Sequence, residues 1–184
     1  MKMDFLLERD HKELDGILRD LLLALDAGGV EEGFKQLDLF WARLGVHIRA
    51  ENLCLFPAIL HELNSGRKGR GDDMPSLDEA RQAIARLRTD HDFFMRELAS
   101  AIKEMRGLRA RPGSQSEAKM LRDVRGRVAA VSHRLAAHNE LEEERVYRWT
   151  NELLDLRAQA LLAAKLRREI ENLPPRFSGA RSDG

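Results

Sequence analysis

Residues 47–51 read His-Ile-Arg-Ala-Glu and residues 138–142 read His-Asn-Glu-Leu-Glu, so a histidine precedes a glutamate by four positions in both stretches. In a helix, residues four apart lie one turn apart on the same face, which points each His–Glu pair at one place. Each pair has an upstream partner, His11 or His91, that directly follows an aspartate. The chain therefore carries one pattern twice: a histidine, then His-x-x-x-Glu.

This repeated pattern predicts a site for two divalent transition metals. The six predicted ligands are four neutral imidazoles and two carboxylates: His11, His47, Glu51, His91, His138 and Glu142. One buried histidine alone is more often an ordinary core residue. Six titratable groups at core positions need compensating charge, because a buried carboxylate without a partner costs on the order of several kcal/mol. No lysine or arginine stands at the adjacent inner positions, so metal is the simplest compensation.

The ligand count also predicts open coordination. If both glutamates bridge the metals and the histidines are shared equally, each metal has two nitrogen and two oxygen ligands. A bridging oxo or hydroxo group adds a fifth ligand and leaves at least one position on each metal for a small molecule. Paired iron with mixed histidine and carboxylate ligands recurs in the cores of helical bundles, which makes iron the leading candidate. Zinc and manganese stay open as alternatives.

Composition narrows the class of protein. The 184 residues include 31 basic and 31 acidic side chains, a formal net charge of zero that indicates neither a nucleic-acid nor an anionic-membrane partner. No apolar run is long enough to span a bilayer, and the N-terminus lacks a signal-peptide layout. The single cysteine, Cys54, excludes an intrachain disulfide and fits a reducing compartment. We therefore expect a cytoplasmic protein with one well-formed core.

Apolar residues at three- and four-residue spacing predict four long helices and a shorter fifth one. They run over about 4–27, 31–63, 76–106, the stretch from the turn at 111–114 to 149, and 151–171. The midpoint of His11 and His47 falls at Gly29, and that of His91 and His138 falls beside the second turn. Each helical hairpin should therefore bring its own ligands to the same height.

Several local features accompany these helices. Pro57 is expected to kink the second helix, and Ser76 with Glu79 should form a capping box. Residues 64–75 read as a loop whose basic stretch, 67–70, is solvated. The last helix should either lie across the bundle or dock to another subunit and form a homodimer. Residues 174–184 are predicted to form a flexible tail.

Two further histidines are predicted to lie outside the site, whereas Cys54, one heptad after His47, could lie near the metals. His61 is two heptads beyond His47, too far along the helix axis to join it, and reads as a helix-end histidine. His133 points off the face that carries His138 and should be solvated. Cys54 is interpreted as a packed thiol, with a redox role as the alternative.

The two quoted stretches, with His11, His91 and the Phe56-Pro57 step, resemble the hemerythrin-like family, specifically the HHE cation-binding domain. The resemblance implies an all-α fold: an up-down-up-down four-helix bundle over residues 1–150, followed here by an additional helix over 151–173. It also implies a non-haem di-iron centre, oxo- or hydroxo-bridged, that binds O2 or NO through the six ligands named above.

The sequence is compatible with three hypotheses about function. Oxygen-carrying members of the family use a fifth histidine, for which this sequence has no obvious slot, and the glutamate that commonly follows the first motif glutamate is Asn52. The favoured hypothesis is that the protein binds or senses O2 or NO. The alternative is a di-iron enzyme or iron donor in nitrosative or oxidative stress defence, acting by iron–sulfur centre repair or by NO or peroxide reduction. The third is a structural scaffold whose last helix forms the interface.

Overall fold

The computed structural model describes residues 3–66, 74–113 and 115–177, and within these ranges the chain is helical without strands. The helices are α1 Met3–Asp26, α2 Val30–Ala50, α3 Phe56–Asn64, α4 Leu77–Ala110, α5 Glu117–Leu141, α6 Tyr147–Leu153 and α7 Leu156–Glu171. Two π-helical turns, Glu51–Leu55 and Glu142–Val146, continue α2 into α3 and α5 into α6. The predicted all-α class, with a helix added after the bundle, is confirmed.

The first four helical rods form an antiparallel bundle. Helix α1 packs on α2 and α4 packs on α5, and the two hairpins meet through α2 with α4 and α1 with α5. At one end of the bundle, Asp26 at the end of α1 pairs with Arg125 near the start of α5. At the same end, Glu31 at the start of α2 pairs with Arg109 at the end of α4. Neighbouring rods therefore run in opposite directions, as an up-down-up-down bundle requires.

Local signals in the sequence set the starts and ends of these rods. Gly28, with φ of +73°, follows α1 in the left-handed conformation that glycine adopts at little cost. The Ser76 hydroxyl accepts a hydrogen bond from the Glu79 N–H, and the Ser76 N–H donates to the Glu79 carboxylate, which confirms the predicted capping box. The basic stretch 67–70 lies outside the described residues.

A π-helical turn interrupts the second rod just before Pro57, the residue at which a kink was predicted. The Phe56 N–H donates to the carbonyl of Glu51, five residues back, before Pro57 begins the first turn of α3. An equivalent turn follows Glu142, where the Tyr147 N–H reaches back to the Glu142 carbonyl. No proline is present there, so proline is not the common cause. Both turns begin at the motif glutamate, and such turns are frequent at functional sites.

The last helix lies against its own bundle and begins later than predicted. The chain leaves the helical conformation at Leu154, and the Asp155 side chain then caps α7 by accepting from the Ala158 N–H at 2.8 Å. The predicted start at residue 151 was wrong because residues 151–153 still belong to α6. On α7, Leu162, Leu166 and Ile170 are buried, whereas Leu161 is 59% exposed.

Polar contacts add to this docking. Arg49 of α2 donates to the Glu169 carboxylate of α7 at 2.9 Å. Beyond α7, Pro175–Phe177 forms a short 3-10 helix in which Arg176 donates two hydrogen bonds to Asp38. The remainder of the predicted flexible tail, residues 178–184, lies outside the described residues.

The core of the bundle is divided into two apolar clusters. The larger cluster lies toward the helix connections at 27–29 and 111–116 and includes Leu21, Phe40, Leu98 and Val128. The other combines the opposite end of the bundle with α7. Between them lies a buried polar layer that contains all six predicted ligands, each at most 3% exposed. The fold therefore places these groups at mid-height, where water has little access.

Candidate metal centre

All six predicted ligands converge in this layer. Their donor atoms form two groups of four, within each of which the atoms all lie within 4.8 Å of one another. The first group contains His11 and His47, the second contains His91 and His138, and both glutamates belong to both groups. Each hairpin therefore supplies its own pair of histidines, at the common height that the midpoint argument predicted.

In the first group, four atoms face one another across a small space. The Nε2 atoms of His11 and His47 are 3.1 Å apart. The His47 Nε2 atom lies 3.2 Å from Glu51 Oε1, and the His11 Nε2 atom lies 3.5 Å from Glu142 Oε2.

The second group repeats this arrangement. The Nε2 atoms of His91 and His138 are 3.2 Å apart. His91 Nε2 lies 3.3 Å from Glu51 Oε2, and His138 Nε2 lies 3.3 Å from Glu142 Oε1. Each carboxylate thus turns one oxygen toward each pair of histidines, which is the placement that a bridging ligand needs.

Carboxylates behind the histidines fix the orientation of three of the rings. Asp10 Oδ2 accepts from His47 Nδ1 at 2.7 Å, and Asp90 Oδ2 accepts from His138 Nδ1 at 3.3 Å. Glu143 Oε1 accepts from His11 Nδ1 at 2.7 Å. A ring that donates from Nδ1 presents the Nε2 lone pair to the centre when it is neutral, and this is the tautomer that binds metal.

His91 is supported differently from the other three. Its Nδ1 atom lies 3.2 Å from the side-chain amide nitrogen of Asn52, whose oxygen accepts from Arg88 at 3.1 Å. Asn52 stands at the position that corresponds to Glu143 in the repeat. The sequence difference noted at Asn52 therefore removes the carboxylate from behind one histidine.

The donor set fits metal ions because its own groups leave it unsatisfied. Glu51 Oε2 and Glu142 Oε1 are buried and have no hydrogen-bond partner. Each pair of facing Nε2 atoms, 3.1 or 3.2 Å apart, can share one proton at most. Buried acceptors without donors are costly, and cations between the imidazoles and carboxylates would satisfy all of them at once.

A comparison with known families agrees with this geometry. The model of the hemerythrin HHE cation-binding domain matches residues 3–150. The chain belongs to this family. No curated protein and no solved structure matches the chain significantly. Among the described residues, no helix is both long and apolar enough to cross a membrane.

The match assigns the bundle and its polar layer to the HHE domain and leaves α7 beyond it. The expected family and its fold are thereby confirmed. The buried histidine and glutamate clusters of this HHE domain fit a metal centre.

Without metal, protons would balance part of the buried charge in the HHE domain. Burial lowers the pKa of His47, but the Glu51 charge and the hydrogen bond to Asp10 outweigh this and raise the pKa well above 6.5. Burial raises the pKa of Glu51, but the His47 charge and the nearby Nε2 atoms of His47 and His91 hold it well below its ordinary value. The pKa of His138 is raised, with burial again opposed by Glu142. Protons and metal ions therefore compete for the same nitrogen atoms.

Tyr147 lies at the centre of the HHE site and was missed in the sequence. Its hydroxyl oxygen is 3.2 Å from His11 Nε2, 3.2 Å from Glu51 Oε1 and 3.3 Å from Glu142 Oε2. Burial and the nearby carboxylates raise its pKa well above the ordinary value of 10.0. The π-helical turn puts Tyr147, five residues after Glu142, on the same face as that ligand.

Phe56 occupies the corresponding position in the first half of the repeat, five residues after Glu51. Its ring stacks on His91 with the ring centres 6.0 Å apart. Aligning the two copies of the motif at their glutamates pairs Phe56 with Tyr147. This alignment is the feature of the sequence from which Tyr147 could have been predicted. Helical periodicity of 3.6 places an i+5 residue away from the ligand face.

The two histidines predicted to lie outside the site do so. His61 is exposed near the end of α3, and His133 is exposed on α5. Cys54 is partly buried against the smaller end cluster. Burial is the main factor that raises the pKa of Cys54, and the charged groups acting on it are Glu169, Lys165 and Arg168 of α7. It therefore faces α7.

Proposed function

We propose that this HHE domain holds two iron ions, bridged by Glu51, Glu142 and an oxo or hydroxo group, and binds or senses O2 or NO there. The observation that carries the proposal is the sharing of both buried carboxylates between two pairs of histidines. A single metal would leave one pair of facing Nε2 atoms without a partner. A paired site uses every donor.

The surrounding residues have defined tasks in this proposal. Asp10 and Asp90 hold His47 and His138 with their Nε2 atoms toward the metals. The two apolar clusters above and below the layer limit the access of water, which favours a small, uncharged ligand such as O2 or NO over a charged one. Bound iron would supply the reversible binding of such a diatomic molecule. We place the protein in the cytoplasm, in keeping with its single cysteine.

Metal loading followed by gas exposure tests the proposal. Protein reconstituted anaerobically with Fe(II) should hold two iron ions per chain by elemental analysis. Addition of O2 or NO should change the near-ultraviolet and visible absorption stoichiometrically. A colourless protein that takes up no iron after reconstitution would refute the proposal.

A histidine substitution tests the ligand set. His138→Ala removes a donor from the second group, so it should lose at least one metal per chain and melt at a lower temperature, because bound metal stabilises the fold. His133→Ala is the matched control, since it removes an exposed histidine from the same helix. Equal metal content in the two variants would contradict the assignment of His138.

A second candidate function is a di-iron enzyme that reduces NO or peroxide, or an iron donor in stress defence. Glu143 favours the reductive form, because its carboxylate is partly exposed and accepts directly from the buried His11 ring at 2.7 Å. This contact gives a proton a route between solvent and the centre. Several turnovers per centre with a chemical electron donor would establish the enzyme, whereas binding limited to one equivalent would favour the binding protein.

A further inference from the structure

We propose that the Tyr147 oxygen is a fifth protein ligand of the metal held by His11 and His47, so that the two metal positions are chemically unequal. This inference rests on the proposed metal centre and goes beyond its six ligands. It concerns one hydroxyl that is buried in the polar layer and contacts three predicted ligands.

The distances around the hydroxyl are those between neighbouring ligands of one ion. In an octahedral site with bonds of about 2.1 Å, adjacent donor atoms lie about 3.0 Å apart. The Tyr147 oxygen lies 3.2, 3.2 and 3.3 Å from its three neighbours. The His11–His47 and His47–Glu51 contacts, at 3.1 and 3.2 Å, complete the same pattern. Five donor atoms thus surround one small volume.

Hydrogen bonding alone does not satisfy this arrangement. The hydroxyl has one proton, and it can donate to one neighbour at a time. Two of its neighbours are carboxylate oxygens, and the third is the His11 Nε2 atom, which carries no proton when the ring is neutral and donates from Nδ1 to Glu143. The remaining contacts therefore bring lone pairs together. Among the described residues, no lysine, arginine or backbone N–H donates to the Tyr147 oxygen, so a cation among these atoms is the group that would satisfy them all.

The internal repeat makes the two positions unequal. The counterpart of Tyr147 is Phe56, which stacks on His91 and offers no donor atom. The metal held by His11 and His47 would therefore have five protein donors, and the metal held by His91 and His138 would have four. A small molecule would then find its open position on the Phe56 side.

Metal binding by Tyr147 would release one proton and give a distinctive spectrum. The phenol O–H bond breaks, the proton leaves to solvent, and a metal–oxygen bond forms with no change of oxidation state. A phenolate bound to Fe(III) absorbs visible light by charge transfer and shows phenolate ring vibrations in resonance Raman spectra. Tyr147 is the only tyrosine in the chain, so any such signal belongs to it.

The experiment compares three iron-loaded, air-oxidised proteins: wild type, Tyr147→Phe and Phe56→Tyr. Wild type should show the phenolate bands with two iron ions per chain. Tyr147→Phe should keep both iron ions and lose the bands completely, and Phe56→Tyr should gain intensity by placing a second phenol at the equivalent position. For a protein that takes up Zn(II) in place of iron, the expected readout is a tyrosinate difference absorption in the ultraviolet.

Wild type alone decides the question if a variant fails to fold. Two bound iron ions without phenolate bands would overturn the role of Tyr147 and leave the six-ligand centre standing. Persistence of the bands in Tyr147→Phe would also overturn it. Absence of any bound metal would overturn the proposed centre itself, so the two failures are distinguishable by elemental analysis.

Discussion

At the scale of single residues, the centre depends on the carboxylates behind the histidines as much as on the histidines themselves. Asp10 reaches from α1 to the His47 ring of α2, and Asp90 reaches from α4 to the His138 ring of α5. Arg43 and Arg134 in turn donate to these two aspartates at 2.6 Å. In each Asp-His step, therefore, the histidine is itself a predicted ligand, and the aspartate orients the ligand histidine of the neighbouring helix.

Asp10→Asn tests this supporting role. The amide can no longer accept from His47 with a full negative charge, so we expect metal affinity to fall about 10- to 100-fold, the usual cost of losing such a group. Arg43 keeps a partner in Glu13, at 2.6 Å, which limits the effect on folding. The measurement is a competition titration with a chelator, and Asp123→Asn, on the exposed face of α5, is the control. Equal affinity in the two variants would show that Asp10 does not support the site.

At the scale of elements, the two π-helical turns and α7 shape the polar layer. Each turn starts at a motif glutamate and adds the residue that brings an aromatic ring, Phe56 or Tyr147, beside the donor atoms. Helix α7 packs on α2, α1 and the π-helical turn at Glu51–Leu55. Its residues Leu162, Leu166 and Ile170 join the apolar cluster at that end of the bundle. A helix outside the family match thereby completes the core of one end.

Two leucines of α7 test whether this helix is part of the folded unit. Leu166 is fully buried, so Leu166→Ala should lower the free energy of unfolding by about 2–5 kcal/mol. Leu161→Ala makes the same change on the exposed face of α7 and should stay within about 0.5 kcal/mol of wild type. Denaturant unfolding of metal-free protein measures both. A small, equal effect at the two positions would place α7 off its own bundle, as the docking alternative requires.

At the scale of the whole molecule, metal binding and folding share one set of groups. The polar layer separates two apolar clusters, and its charges must be balanced in the folded state by protons or by metal. Raised histidine pKa values stabilise the metal-free fold below the ordinary value of 6.5, and this contribution is lost as the pH rises through the folded-state pKa. Lowered glutamate pKa values contribute above 4.5 and are lost on acidification.

The stabilisation that metal provides should therefore grow with pH. Between about pH 5.5 and pH 8, metal-free protein loses part of the stability that protonated histidines provide, whereas metal binding requires those nitrogens without protons. We expect the difference in melting temperature between Zn(II)-loaded and metal-free protein to be larger at the higher pH. Calorimetry at both values checks this. A difference that narrows with rising pH would contradict the competition between protons and metal.

Sequence patterns were sufficient to predict the helices and the convergence of the six ligand side chains. Helical periodicity places a histidine and a glutamate four residues apart on one face, and symmetric spacing about the turns at Gly29 and 111–114 brings the hairpins level. These regularities survive folding because the apolar residues that flank them are buried in the two clusters of the core. The capping box at Ser76 and the exposure of His133 could be predicted for the same local reason.

Tertiary structure decided the features that depend on contacts between distant residues. The pairing of Asp10 with His47 joins two helices, and the approach of Tyr147 to His11 joins two hairpins. The π-helical turns shift every later side chain by one residue relative to a 3.6-residue period, so periodicity alone missed Tyr147. The expected kink at Pro57 likewise gave no sign of the π-helical turn that precedes it. Which leucines of α7 are buried likewise depends on the packing of that helix against the bundle, a surface that no single segment encodes.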